Sequence, residues 1–143
     1  MPALKSILET AIYVDDLGRA CAFYEDIMGL RPLKKTDRLC AYGVNERSVL
    51  LIFLRGGTAQ GATADGGNEI PPHDATGQIH FAFEATHAAF AEWDDHLTAR
   101  GVDILSRTSW MRGGKSLYFR DPDGNLVEIA ASPGLWPMEG TTA

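Results

Sequence analysis

Two cysteines in 143 residues are too few for a disulfide scaffold, and neither Cys21 nor Cys40 has a second cysteine at the short spacing of a zinc or redox motif. Both read as small core or surface residues. Positive charge is also scarce: 13 Lys and Arg against 19 Asp and Glu leave a net charge of −6, with no dense basic run to make a local exception. Such a chain repels phosphate backbones, so nucleic acid is not an expected partner. Long apolar runs are missing as well. The longest, such as 49–54, are strand-sized, far below the roughly 20 residues of a membrane helix. The opening residues, Met1 to Ser6, hold no apolar signal region and no small-residue cleavage site. The expectation is a cytoplasmic protein that does not enter a membrane.

What is present is enough for a core. A hydrophobic fraction of 45% over this length supports one domain and is short for two of ordinary size. Residues 6–14 alternate, with Leu8, Ile12 and Val14 on one side and Glu9, Ala11 and Tyr13 on the other, which is the period of a strand. Asp15 or Asp16 can cap a helix in which Leu17, Cys21, Tyr24 and Met28 recur at helical spacing, until Gly29 offers a left-handed stop. Strand-like runs follow at 31–36, 39–44 and 48–54. The order is βαβββ.

Residues 56–76 then turn to Gly, Ala, Thr, Asp and Pro, a long connection without a core of its own that serves as a hinge or a mobile cover. After it the order recurs. A strand at 78–84 precedes a helix capped by Thr86, carrying Phe90, Trp93 and Leu97, and stopped near Gly101. Strands are expected at 102–110, 115–120 and 125–130, the last two joined by the turn Asp121-Pro122-Asp123-Gly124. Glu9 and His80 are 71 residues apart and Gly29 and Gly101 are 72 apart, so the halves repeat in order and period although their identity is weak. The reading is an α+β domain: repeat one at 4–55, a connecting loop at 56–76, repeat two at 77–131 and a C-terminal tail at 132–143.

A repeat of this kind relates its halves by a pseudo-two-fold, which gives Glu9 and His80 equivalent places. If the larger apolar residues of each first strand pack on the helix, both side chains turn into a shared concavity. Glu128, between Val127 and Ile129 in the last strand, turns the same way. One nitrogen and two carboxylates suit a single Mn²⁺, Fe²⁺, Ni²⁺, Zn²⁺ or Mg²⁺ ion, with positions left open for substrate or water. His80 alone reads equally well as a hydrogen-bonded core histidine, and Glu9 alone as a solvated strand residue. Glu128 is harder to dismiss, because burying it unpaired costs several kcal/mol.

These residues carry a resemblance. Leu8-Glu9-Thr10-Ala11-Ile12-Tyr13-Val14-Asp15-Asp16-Leu17, continuing through Phe23-Tyr24 to Met28-Gly29-Leu30, resembles the opening of the vicinal oxygen chelate superfamily of glyoxalases, extradiol dioxygenases, and fosfomycin- and bleomycin-resistance proteins. Ser116-Leu117-Tyr118-Phe119-Arg120-Asp121-Pro122-Asp123-Gly124-Asn125-Leu126-Val127-Glu128 resembles its closing hairpin, whose terminal Glu is a metal ligand. The resemblance implies two βαβββ repeats forming curved mixed sheets around a central cavity, one divalent metal ion held by Glu9, His80 and Glu128, and a homodimer. It implies an enzyme of glyoxalase-like lyase or isomerase type with the substrate bound through adjacent oxygens; Glu9 and Glu128 are the candidate catalytic residues, Glu9 as a carboxylate able to take a proton beside a carbonyl. The alternatives are an extradiol-type dioxygenase and a non-catalytic protein that sequesters an antibiotic or metabolite. Glu9 stands where the superfamily usually has His or Gln. Leu50 or Leu51 stands where glyoxalase I has a further Glu.

Among the aromatics, Tyr13, Phe53, Trp110 and Tyr118 are the expected substrate contacts, with Tyr42 a further candidate for the cavity wall. Arg47, Arg112 and Lys115 are candidate anion contacts whose simpler fate is solvation. His73, in the connection, reads as inert. Gly113-Gly114 reads as a hairpin turn, and His87 and His96 as exposed helix residues. The tail residues Pro133-Gly134-Leu135-Trp136-Pro137 are suited to docking on a partner or on the body of the domain.

Overall fold

Alternation in the first strand becomes one buried and one open face. In β1 (Glu9–Val14), Ile12 and Val14 are fully buried while Glu9 and Ala11 stay exposed. The computed structural model describes residues 1–137, and the chain divides into one unit, Met1–Gly77, and a second that begins at Gln78.

In the first unit β1 runs parallel to β4 (Ser48–Leu54), which pairs antiparallel with β3 (Leu39–Val44), and that in turn with β2 (Arg31–Lys35). Asp16 caps α1 (Leu17–Ala22) by accepting the Arg19 N–H at 3.0 Å. The regular helix expected as far as Gly29 stops early. Residues Phe23–Ile27 form a π-helical turn, whose wider spacing buries the neighbouring rings of Phe23 and Tyr24 together. Ile12, Val14, Cys40, Tyr42, Leu50 and Ile52 form the buried face under this helix, each large aliphatic contributing roughly 1.5–3 kcal/mol.

The connection 56–76 is more structured than its composition suggests. It contains a short hairpin, β5 (Ala62–Thr63) with β6 (Glu69–Ile70). Its ends are fastened by Arg55, which donates to the Tyr13 and Ala75 carbonyls at 3.0 Å each, and by the Gly56 N–H, which donates to Asp74 Oδ1 at 3.0 Å.

The second unit repeats the same sheet order. β7 (His80–Thr86) is parallel to β10 (Leu126–Ser132), which is antiparallel to β9 (Lys115–Arg120), and that to β8 (Ser106–Ser109). The strand expected over 102–110 is thus confined to four residues, because Val102 still closes the helix end by donating to the Leu97 carbonyl. Thr86 caps α2 (His87–Ala99) by accepting the Ala89 N–H at 3.2 Å. Phe119, Leu117, Val127, Ile129 and Leu97 are fully or almost fully buried.

Two loops hold this unit in register. Asp121 Oδ1 accepts the N–H groups of Asp123 and Asn125, the Asn125 amide donates to Asp121 Oδ2 at 3.0 Å, and Asn125 Oδ1 accepts the Ile79 N–H at 3.1 Å. The turn before β10 therefore grips the residue before β7. At the other end the tail docks on its own unit: the Gly114 N–H donates to the Gly134 carbonyl at 3.2 Å. A side chain at Gly114 would meet Leu135 Cδ1 at 2.5 Å and the Gly134 carbonyl carbon at 2.7 Å, so the close approach requires glycine there. Of the expected tail, residues 138–143 lie outside the described residues.

Asn125 is 1% exposed, and Asn125→Ala removes the acceptor of the Ile79 amide and a donor to Asp121. We expect a loss of about 2–3 kcal/mol in urea unfolding; a change below about 0.5 kcal/mol, the scatter of a surface substitution, would contradict the clamp.

Candidate functional site

Register places the second unit's polar groups. His80 opens β7 opposite Leu126, and two residues on, Ala82 lies opposite Glu128, so both side chains occupy the face turned away from α2. The His80 Nε2 atom stands 3.3 Å from Glu128 Oε2, with the His80 side chain half exposed and Glu128 only 6% exposed. Behind the carboxylate runs a chain of donors. The Trp110 indole N–H donates to Ser116 Oγ at 2.8 Å, and the Ser116 hydroxyl donates to Glu128 Oε1 at 2.5 Å. Tyr118, opposite Glu128 on β9, has its ring 6.1 Å from that of His80. Burial first, and the Glu128 charge second, hold its phenol above the usual tyrosine range, so it remains a proton donor.

The tautomer of His80 follows from its other nitrogen. Nδ1 lies 2.9 Å from the Leu126 carbonyl, which can only accept, so Nδ1 carries a proton. In the neutral ring Nε2 is then a bare lone pair facing a carboxylate oxygen. Two such atoms repel unless a proton or a cation lies between them. Ligands about 2.1 Å from one cation are separated by roughly 3.0–3.4 Å for octahedral to tetrahedral angles, and the observed separation of 3.3 Å falls in that interval. The pair therefore has a spacing that fits two ligands of one divalent ion as well as an imidazolium–carboxylate pair. Among the described residues, no group of three or more His, Cys, Asp and Glu side chains is assembled to hold one.

Glu9 lies in the first unit, exposed at the start of β1, as His80 is at the start of β7. Register also fixes the first-unit counterpart of Glu128. As Glu128 lies opposite Ala82, Leu51 lies opposite Ala11, so of the two leucines considered it is Leu51 that occupies this place. An aliphatic side chain there supplies no metal donor to the first unit.

Beside Glu9 the first unit forms a half-open cavity of about 710 Å³, with Ala11, Leu51 and Phe53 as its floor and Thr58 and His73 from the connection on its wall. His73 is not the inert loop residue expected. Its Nδ1 is 2.7 Å from the Tyr13 hydroxyl, its ring centroid is 4.7 Å from that of Phe53, and its carbonyl accepts from the buried Thr58 hydroxyl at 2.6 Å. Burial first, then the Asp74 charge, raises the Tyr13 phenol above its ordinary value. Tyr13 and Phe53 stack with centroids 5.7 Å apart. Tyr42, by contrast, is fully buried on the helix side and donates to Glu25 at 2.7 Å, so it does not line this cavity.

The cations at the cavity are Lys34 and Arg38, neither of them among the sequence candidates. Lys34 pairs with Asp65 at 3.2 Å, and Arg38 donates to the Gly57 carbonyl at 3.3 Å. A bulge between Pro32 and Lys34 aligns Lys34 with Ala41 and thereby moves it to the open face, a shift that strict alternation does not reveal. Of the earlier candidates, Lys115 lies over the Phe90 ring, 5.8 Å from its centroid. His87 is exposed but holds the Pro133 carbonyl at 2.7 Å, and His96 packs edge-on against Trp93.

A model of the Glyoxalase/Bleomycin resistance protein/Dioxygenase superfamily matches residues 6–129. The metallothiol transferase FosB of Staphylococcus saprophyticus is 30% identical, over 88% of this chain and 76% of its own. A probable lactoylglutathione lyase of Vibrio parahaemolyticus is 27% identical, over 90% of this chain and 95% of its own. The crystal structure of lactoylglutathione lyase from Agrobacterium tumefaciens shares 37% identity at a TM-score of 0.84, covering 95% of this chain and 99% of that one.

Ser116→Ala withdraws the hydroxyl from a buried carboxylate and the acceptor from Trp110. Stability is expected to fall by about 1–3 kcal/mol, with a shift in tryptophan emission that disappears in a Trp110→Phe background. An unchanged midpoint and spectrum would remove Ser116 from the support of Glu128.

Proposed function

The chain belongs to the Glyoxalase/Bleomycin resistance protein/Dioxygenase superfamily, and we propose that within it this protein is a divalent-metal-dependent enzyme of glyoxalase-like lyase or isomerase type. Its substrate is a small organic molecule that chelates the cation through adjacent oxygens. The observation that carries the reading is His80 Nε2 standing 3.3 Å from Glu128 Oε2, the spacing of two ligands on one cation, with Nδ1 turned to the Leu126 carbonyl. The relatives support it in kind, since their names include a metallothiol transferase and lactoylglutathione lyases.

In this reading His80 and Glu128 are ligands, and Glu9 is the third, assigned on its equivalence to His80 at the first position of the corresponding strand. A divalent cation held by these residues would supply Lewis acidity toward a substrate oxygen. Ser116 and Trp110 keep one oxygen of Glu128 occupied, so that Oε2 remains directed at the site. Glu9, a carboxylate where the usual residue is His, is the ligand that can leave the cation and then take a proton from the carbon beside the substrate carbonyl. Tyr13, Phe53, Trp110 and Tyr118 are the substrate contacts in the same proposal, supported by their aromatic character and by the place of Phe53 on the cavity of the first unit. A homodimer belongs to the same proposal, supported by the exposed Leu4, Ile7 and Leu8, as does a cytoplasmic location.

Untagged protein should contain close to one equivalent of divalent metal per chain by inductively coupled plasma analysis, and His80→Ala should lose it while keeping the circular dichroism spectrum of the wild type. Metal content unaffected by His80→Ala, or no metal together with no thermal shift on adding Mn²⁺, Ni²⁺, Zn²⁺ or anaerobic Fe²⁺, would overturn the reading. Glu9→Ala should weaken Mn²⁺ binding by at least about 10-fold in calorimetry, an effect of the size seen when metal-site support is lost; unchanged affinity would exclude Glu9 as a ligand.

A further inference from the structure

On the helix side of the first unit two free thiols meet. Cys21, in the last turn of α1, and Cys40, on β3, are 6% and 3% exposed, and their sulfur atoms are 2.6 Å apart. That separation is nearer the roughly 2.05 Å of a sulfur–sulfur bond than the roughly 3.5–4.0 Å of ordinary non-bonded heavy atoms. Cys40 shares its face of β3 with Tyr42, opposite to the face of Ala41 and the cavity. The pair is therefore outside the metal and substrate chemistry proposed above.

We propose that Cys21 and Cys40 are a modification site, forming a reversible intramolecular disulfide that staples α1 to β3. The oxidant is a peroxide. One thiolate attacks a peroxide oxygen and becomes a sulfenic acid as one water leaves; the second thiol then displaces a second water and forms the sulfur–sulfur bond. Two thiols and one hydrogen peroxide thus give one disulfide and two waters. Two equivalents of a small thiol return the pair to the reduced state and are themselves oxidised to a disulfide.

Burial first, and the neighbouring Cys21 second, push the Cys40 thiol up to about 12, which disfavours its thiolate. Cys21 lies in a helix of only six residues that runs directly into a π-helical turn. Local opening of so short a helix gives a small oxidant access without unfolding the sheet. The bond would close a loop from residue 21 to residue 40, a length at which a disulfide measurably restrains the unfolded chain.

The test uses the full chain, treated with stoichiometric hydrogen peroxide and then denatured. The expected result is a monomer lighter by about 2 Da with no free thiol, a proteolytic fragment joining Cys21 to Cys40, and full reversal by dithiothreitol. The oxidised form should melt about 5–10 °C above the reduced form. Cys21→Ser and Cys40→Ser, with Cys21→Ala and Cys40→Ala as substitutes should either serine variant fail to fold, should show neither the mass loss nor the reductant-dependent melting temperature. Uptake of oxygen without a cross-link, or two thiols still reduced after treatment, would overturn the proposal. Metal content is read on the same samples and does not enter either outcome.

Discussion

The side-chain clamp between Asp121, Asn125 and the Ile79 amide sets what the second unit can present. It fixes the start of β7 against the turn that feeds β10, and so fixes His80 opposite Leu126. In a sheet the side-chain period is two, and a slip of one residue would send Glu128 into the apolar layer and Val127 to the open face. Everything at the candidate site follows from this register: the His80 and Glu128 pair, the Ser116 and Trp110 support behind it, and Tyr118 beside it.

Glu128 makes that register consequential. A carboxylate so nearly enclosed is tolerable only with donors on one oxygen and a positive partner for the other. Ser116 meets the first requirement, and His80 Nε2, 3.3 Å from the other oxygen, stands where a proton or a cation meets the second. The two units are alike in strand order but have diverged in chemistry. Leu51, in the place that Glu128 holds in the second unit, commits the first unit to an apolar cavity floor with Glu9 as its acidic group.

Much of this was legible from residues alone. Alternation and capping signals identified both βαβββ units, the Thr86 cap, the turn at Asp121 and the open-face placement of Glu9, His80 and Glu128, because local periodicity and turn chemistry determine those features. What stayed hidden depends on non-local pairing. The bulge after Pro32 reverses the face of Lys34, which no count along the strand reveals. His73 becomes a cavity residue because its loop is tied down through Arg55 and Asp74. Cys21 and Cys40 meet because a helix crosses a sheet, and their 19-residue separation matches no recognised spacing. The wider helical turn at Phe23 likewise answers to the burial of two adjacent rings, a tertiary demand.

The central claim is that His80 and Glu128 form two arms of a metal site. Anomalous scattering from crystals loaded with Mn²⁺, recorded above and below the metal edge, tests it most directly. The account predicts one strong peak per chain, about 2.0–2.2 Å from both His80 Nε2 and Glu128 Oε2. A peak bound elsewhere, or no peak while Nε2 and Oε2 remain in contact at saturating metal, would contradict it.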